Sequence, residues 1–240
     1  MSRTETLSLH KFTAGLTAFV LAILFVYPFL WQIRTAFSDP AAIMSTTWNP
    51  GTMRLTMSNL GRVLTESDIP RYMLNGLIVV VAILLGQLCI AVPAAFALAR
   101  YKFRGSSLLM AAVIGAIAFP GFVMAVPNFV LLATINLLDT TAALVLPFWG
   151  SAFGVFLFRQ AIARIPQDFL DAGVIDGCGI PRLIAQVVAP LVTSHLVTFA
   201  LFSISVHWND LFWPLVVIRT GRKLTASAGV LFFASSEMGT

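Results

Sequence analysis

The chain has 240 residues, of which 58% are hydrophobic and only 10% charged, with 20 Phe. A soluble domain of this length has too little interior to hide so much apolar surface, and a mean hydropathy of +0.90 points to an integral membrane protein. The formal net charge of +5 comes without a dense basic cluster, which suits basic loops facing a cytoplasm rather than nucleic-acid binding.

The N-terminus, MSRTETLSLHKF, is weakly basic and leads straight into an apolar run. That run continues through VYPFLWQI without a small-residue cleavage site, so a retained first span is expected over about Thr13–Ile33, not a signal peptide. Tyr27 and Trp31 near its far end fit interface aromatics. The stretch Arg34–Tyr72, with STTWNPGTMRLTMSNL, reads as irregular structure over the outer face. Uncharged runs place a second span within Met73–Ala99 and a third within Ser106–Val126. Pro93 and Pro120 are expected to kink or break these helices, and Gly115 and Gly121 to permit close helix approach.

From Pro127, PNFVLLATINLLDT stays uncharged until Asp139. A helix there would be about 18 Å long, too short to cross, and reads as interfacial or re-entrant. A fourth span is expected over roughly Thr140–Phe158 and a fifth from near Pro190 to about Leu215. The run after Lys223, LTASAGVLFFASS, is too short to cross. The fold class expected is an all-α integral membrane protein, a polytopic helical bundle with five spans in a single domain over residues 1–240.

Orientation follows from Lys and Arg in short loops. RYKFRG, between spans two and three, carries Arg100, Lys102 and Arg104, and the next connection carries no Lys or Arg. That puts RYKFRG, the N-terminus and the segment with Arg159, Arg164 and Arg182 in the cytoplasm. Arg219, Arg222 and Lys223 run against the rule.

Chemistry is sparse. Cys89 and Cys178 give no disulfide framework or metal-ligand spacing, and His10, His195 and His207 are scattered. With three lysines and no Gly-Lys pair there is no phosphate-binding loop, so no cofactor or nucleotide site is expected in this chain. Asn75, Gln87, His195, His207, Asn209 and Asp210 fall in or near spans, where polar groups face a bundle interior or water. Two readings stand for them. Asn75, Asn209 and Asp210 are candidates to line a translocation path; the other reading is interhelical hydrogen bonding, or, for Asp210, a position at the outer interface.

The densest polar signal lies between spans four and five. In RIPQDFLDAGVIDGCG, Asp168, Asp171 and Asp176 fall within nine positions. Pro166 suits the first helical position, and Gln167 and Asp168 suit the first turn. Phe169, Ala172, Gly173 and Asp176 fall at i, i+3, i+4 and i+7, on one face. Gly177 and Gly179 then stop the helix, and Pro181 can start a second through Leu183–Val188. Such a face suits insertion into a groove on another protein, and a connecting loop kept in water by its acids is the alternative.

The register Asp171-Ala172-Gly173, Gly177, then Val187, Ala189 and Pro190 resembles the EAA loop of permease subunits in binding-protein-dependent ABC importers. The family pattern is Glu-Ala-Ala, three residues, Gly, nine residues, Ile, one residue, Leu-Pro. Here Asp stands for Glu, Gly for the second Ala, Val for Ile and Ala for Leu. AAFALARYKFRG, RQAIARIPQDF and WNDLFWPL are similar to the carbohydrate-uptake branch, its maltose- and glycerol-phosphate-type second permease above all.

The resemblance implies an inner-membrane subunit that moves a sugar or polyol and is not itself an enzyme. Its partners would be a homologous second permease, two cytoplasmic ATPase subunits that bind the ATP, an extracytoplasmic solute-binding protein and membrane lipid. Residues 159–190 would be the coupling loop that docks on the ATPase. Within it Asp171 would hold the surface, Gly177 permit the turn, and Phe169, by the face analysis, plug the cleft. The family core has one more span after ASSEMGT, so a truncated sequence is expected, with a shortened permease completed by a partner's helix as the other option. An ATP-independent carrier or channel would call for a charged intramembrane relay or internal repeat, and a non-transporting permease would suit truncation.

Overall fold

The computed structural model describes residues 3–39 and 55–238, and every ordered segment longer than a single bridge pair is helical. These residues form two compact units, residues 1–67 and 68–240. In the first, α1 (Arg3–Ala36) contains the apolar stretch Thr13–Ala36, long enough to cross a bilayer. A single bridge pairs Ser38 with Leu55, and the Asn59 amide donates to the carbonyls of Ala36 and Ser38. Asn59 belongs to α2 (Ser58–Thr65), a helix where irregular chain was expected. Its apolar Leu60, Val63 and Leu64 recur at helical spacing, and this pattern outweighs the turn-forming residues before it. Residues 40–54, with WNPGTMR, lie outside the described part.

The second unit is organised along α3 (Ile69–Arg100), about 48 Å long at 1.5 Å per residue. Pro93 sits inside α3 without ending it. After α3, α4 (Ser106–Ala118) stops where Phe119 and Pro120 turn extended. The chain then bends by 98° into Gly121–Thr134, which holds α5 (Ala125–Thr134). Span three as drawn from composition, Ser106–Val126, is therefore a broken helix, and the run from Pro127 is its second arm.

The fourth expected span is also two pieces bent by 44°: Thr141–Phe148, which begins with α6 (Thr141–Val145), and α7 (Ala152–Ala163). Ser151 caps α7 by accepting from the Gly154 amide at 3.0 Å. Next come α8 (Gln167–Ile175) and α9 (Ile180–Leu191), followed across an 86° bend by α10 (Thr193–Trp208). Two shorter helices close the described chain, α11 (Phe212–Val217) and α12 (Ala226–Met238). Among the described residues, two helices are long and apolar enough to cross a membrane, and up to five spans result if each bent pair counts as one.

Two apolar clusters grip opposite halves of α3. Near its start, Tyr72, Val79 and Ile83 pack with Leu132, Leu144, Trp213 and Val217. Near its end, Ala91, Ala95 and Phe96 pack with Phe158, Ile162, Val188 and Phe199. Gln87 marks the waist between them. Its amide nitrogen donates to the Phe148 carbonyl at 3.0 Å and lies 3.4 Å from His207 Nε2, while its oxygen accepts from Ser203 Oγ at 2.6 Å. A buried amide is tolerated at membrane depth because its bonds are met by neighbouring elements. Gly115 and Gly121 face open space, so the close approaches fall elsewhere. At Gly86 the Trp149 indole lies against the α3 backbone and donates to the Ala82 carbonyl, and Gly229 meets the Tyr72 ring.

Candidate functional site

The segment between α7 and α10 is built from local rules. Pro166 cannot continue α7 and stands at φ −56° and ψ 142° just before α8. Asp168 in the first turn of α8 faces the positive end of the helix dipole. At the other end the chain forms a Schellman turn. The Gly177 amide donates to the Val174 carbonyl at 2.9 Å, and the Cys178 amide to the Gly173 carbonyl at 3.0 Å. Gly177 stands at φ +75°, left-handed backbone that favours glycine. Gly179 precedes the second helix, where Pro181 takes a first-turn position.

The two helices of the elbow are held together by Gly173. A side chain there would meet Leu183 Cδ1 at 2.5 Å and Val187 Cγ2 at 3.3 Å. Leu170, one turn earlier, is buried in the same cluster as Leu183 and Val188. This corrects the single face drawn over Phe169, Ala172, Gly173 and Asp176. Phe169, Ala172 and Asp176 are exposed, whereas Gly173, some 100° further round the helix than Ala172, faces inward under α9. Asp171 is exposed and accepts from Gln167 Nε2 at 2.9 Å.

The outward surface of α8 carries an apolar group that the face analysis passed over. Ile175 is 85% exposed against 51% for Phe169, and Val174 is exposed beside it. Ile175 is in line with Asp168 and Asp171 at i, i+3 and i+7, so the pattern was present in the sequence. Pro190 lies in the last turn of α9, after a π-helical stretch Ile184–Val188. The carbonyls of Ala189 and Pro190 accept from Thr193 Oγ1, which holds the corner into α10.

The three polar candidates for a translocation path each have a local partner. Asn75 Nδ2 donates to the carbonyls of Arg222 and Leu224. Asn209 Nδ2 donates to the Ser205 carbonyl one turn back, and Asp210 Oδ1 accepts the Trp213 amide at the start of α11. A pocket of about 60 Å³ beside Asn75 has room for a water or two rather than a sugar ring. A larger open pocket, about 790 Å³, lies at the helix breaks and includes Phe119, Asn128, Phe148, Ser151, Phe153 and Phe202.

At the Asn75 end, Asp139 ties the 218–223 loop down. Its Oδ1 accepts the amides of Arg219 and Thr220, and its Oδ2 accepts from Thr220 Oγ1 at 2.6 Å and Lys223 Nζ at 3.1 Å. These bonds, the Thr220 hydroxyl first, hold the Asp139 carboxyl well below the usual carboxylate range. Asp139 stands at φ 59°, a left-handed position that Asp tolerates better than most residues.

Comparison with known proteins places this architecture. The chain is 28% identical to the diacetylchitobiose uptake system permease protein NgcG of Streptomyces coelicolor, over 99% of this chain and 80% of that protein. It is 29% identical to the sn-glycerol-3-phosphate transport system permease protein UgpE of Salmonella choleraesuis, over 94% and 85%. Among solved structures, a chain of a bacterial ABC transporter involved in the import of the acidic polysaccharide alginate shares the fold. The TM-score is 0.82 at 21% identity, covering 100% of this chain and 88% of that one. Residues 87–236, more than half the chain, match the family described as the binding-protein-dependent transport system inner membrane component, and the chain belongs to that family.

Proposed function

We propose that this chain is one of two permease subunits of an inner-membrane ABC importer for a sugar or polyol. It crosses the membrane five times in the described residues, with its N-terminus and residues 159–190 in the cytoplasm. Separate ATPase subunits bind and hydrolyse the ATP, a second permease completes the path, and an extracytoplasmic binding protein delivers solute. Family membership and the permease relatives support this assembly, and the diacetylchitobiose and glycerol-3-phosphate systems named for those relatives support the solute class.

The observation that carries the reading is the elbow itself. A buried face (Leu170, Gly173) ties α8 to α9, and the opposite surface offers Phe169, Asp171, Ala172, Ile175 and Asp176 outward. Gly177 sets the turn and Pro190 the corner. An apolar group ringed by acids, raised on a two-helix support, suits a cleft on another protein. The basic residues of RYKFRG leave from the same end of α3 as the elbow, since Arg100 bonds to the carbonyls of Ile162 and Ile165, and the positive-inside rule supports a cytoplasmic side for both.

The test is the double variant Asp171→Lys with Gly177→Pro in the complete transporter. Import of diacetylchitobiose and of sn-glycerol 3-phosphate is assayed first, beside ATP hydrolysis. Loss of import with ATP hydrolysis and membrane level kept is the expected result. Undiminished import would overturn the coupling role.

A further inference from the structure

Arg100, the last residue of α3, serves three elements at once. Its Nη2 donates to the Ile162 carbonyl at 2.5 Å, in the last turn of α7, and to the Ile165 carbonyl at 2.6 Å, in the connection just past it. Helix ends leave carbonyls without intrahelical partners and carry the negative end of the dipole, so one cation serves the termini of α3 and α7 together. Bonds from a charged donor are about twice as strong as neutral ones. Nη1 reaches Gln167 Oε1 at 3.5 Å on the first residue of α8, and Gln167 in turn donates to Asp171 at 2.9 Å. The Arg100 Nε is buried without a hydrogen-bond partner while the residue as a whole is half-buried, so the base of the fork is held out of solvent.

We infer that Arg100 is a positioning residue that locks α8 to the ends of α3 and α7, so that the elbow and the central helix move as one body. Besides the α8–α9 contact at Gly173, Leu170 and Val188 pack the elbow into the apolar cluster at the end of α3, and apolar packing is non-directional. The fork of Arg100 adds direction on the α7 side, because its planar donors fix direction as well as distance. The consequence for transport rests on the docking role proposed for α8, whereas the lock itself is a property of this chain.

The test uses the complete transporter in lipid, with Cys89→Ser and Cys178→Ser as background and spin labels on Ile175→Cys and Leu85→Cys. Both label sites are exposed. The distance between them is read by pulsed electron resonance in the resting state and after trapping with ADP and vanadate. In the otherwise unaltered chain the distance stays within about 2 Å between the two states, the scale of small helix shifts. In Arg100→Gln it broadens or shifts by about 5 Å or more on trapping, and Arg100→Lys, which keeps a charged donor, restores part of the narrow distribution. Gln167→Ala, which leaves both carbonyl bonds in place, loosens the distance in the same direction and serves if Arg100→Gln does not accumulate.

Identical distances in Arg100→Gln, Gln167→Ala and the parent would overturn the inference, as would a parent distance that itself shifts by about 5 Å or more on trapping. A bifunctional maleimide on Ile175→Cys separates the two ideas. Failure to cross-link the ATPase while the distance stays fixed contradicts docking and leaves the lock standing. Cross-linking with a distance that is loose in the parent contradicts the lock alone.

Discussion

Gly177 offers the most quantitative probe of the elbow. Its φ of +75° is left-handed, and an L-residue pays roughly 1–2 kcal/mol to stand there. Gly177→Ala keeps the amide that donates to the Val174 carbonyl, so the backbone preference is the main thing that changes. Space is not an obstacle, because nothing lies within 4 Å of where the new Cβ would stand. α8 is nine residues long, too short to be stable by propensity alone, so the penalty falls on local opening of the turn. An energy of that size is a factor of about 5–30 in the open-to-closed ratio. Hydrogen exchange at the amides of residues 177 and 178 should quicken by that factor, and the amide of Leu196 in α10 should not follow. Gly177→Asn should fall between Gly and Ala, since Asn visits this region more readily. Gly177→Pro loses the amide and fixes φ near −65°, so the turn should not form. Exchange at 177 and 178 unchanged within about twofold in Gly177→Ala would refute the assignment of this turn.

Three further outcomes follow from packing and electrostatics. Asp139 has a folded pKa below its unfolded value, so its contribution to the 218–223 loop is fully present above about pH 4 and is lost as pH falls through the folded value. Asp139→Asn should therefore quicken tryptic cleavage after Arg219, Arg222 and Lys223 at neutral pH, and protection in the parent should be flat from about pH 5 to 8. A double-mutant cycle on Gln87→Leu and Ser203→Ala, read by unfolding in detergent, should give a coupling of about 0.6 kcal/mol and no more than about 1.7. Gly229→Ala should cost about 1–3 kcal/mol by overpacking against Tyr72, a ring already 4% exposed, and Tyr72→Ala should relieve most of it.

The helical class was legible because uncharged runs of this length have no other stable form in lipid, and α3 came through almost whole. The breaks were less legible. Pro120 follows the end of α4, whereas Pro93 sits inside a continuous α3, and the residue type alone does not tell the two apart. Hydropathy is equally silent on a 98° bend, since both arms of a broken helix are apolar. In the elbow, the turn at Gly177 and the start near Pro166 follow local chemistry and were readable. The burial of Gly173 was not, because it depends on Leu183 and Val187 arriving from the next helix. The same holds for Asn75, whose partners Arg222 and Leu224 lie some 150 positions away, and for the fork of Arg100 on the end of α7.

The claim beneath the whole account is that the elbow projects into the cytoplasm and is held there by a separate ATPase. Asp168→Cys, with Cys89 and Cys178 replaced by Ser, reads both parts with a membrane-impermeant maleimide. The account predicts no labelling in intact cells, labelling in inverted vesicles stripped of the ATPase, and protection when the ATPase is added back. Labelling from outside intact cells, or equal labelling with and without the ATPase, would contradict it.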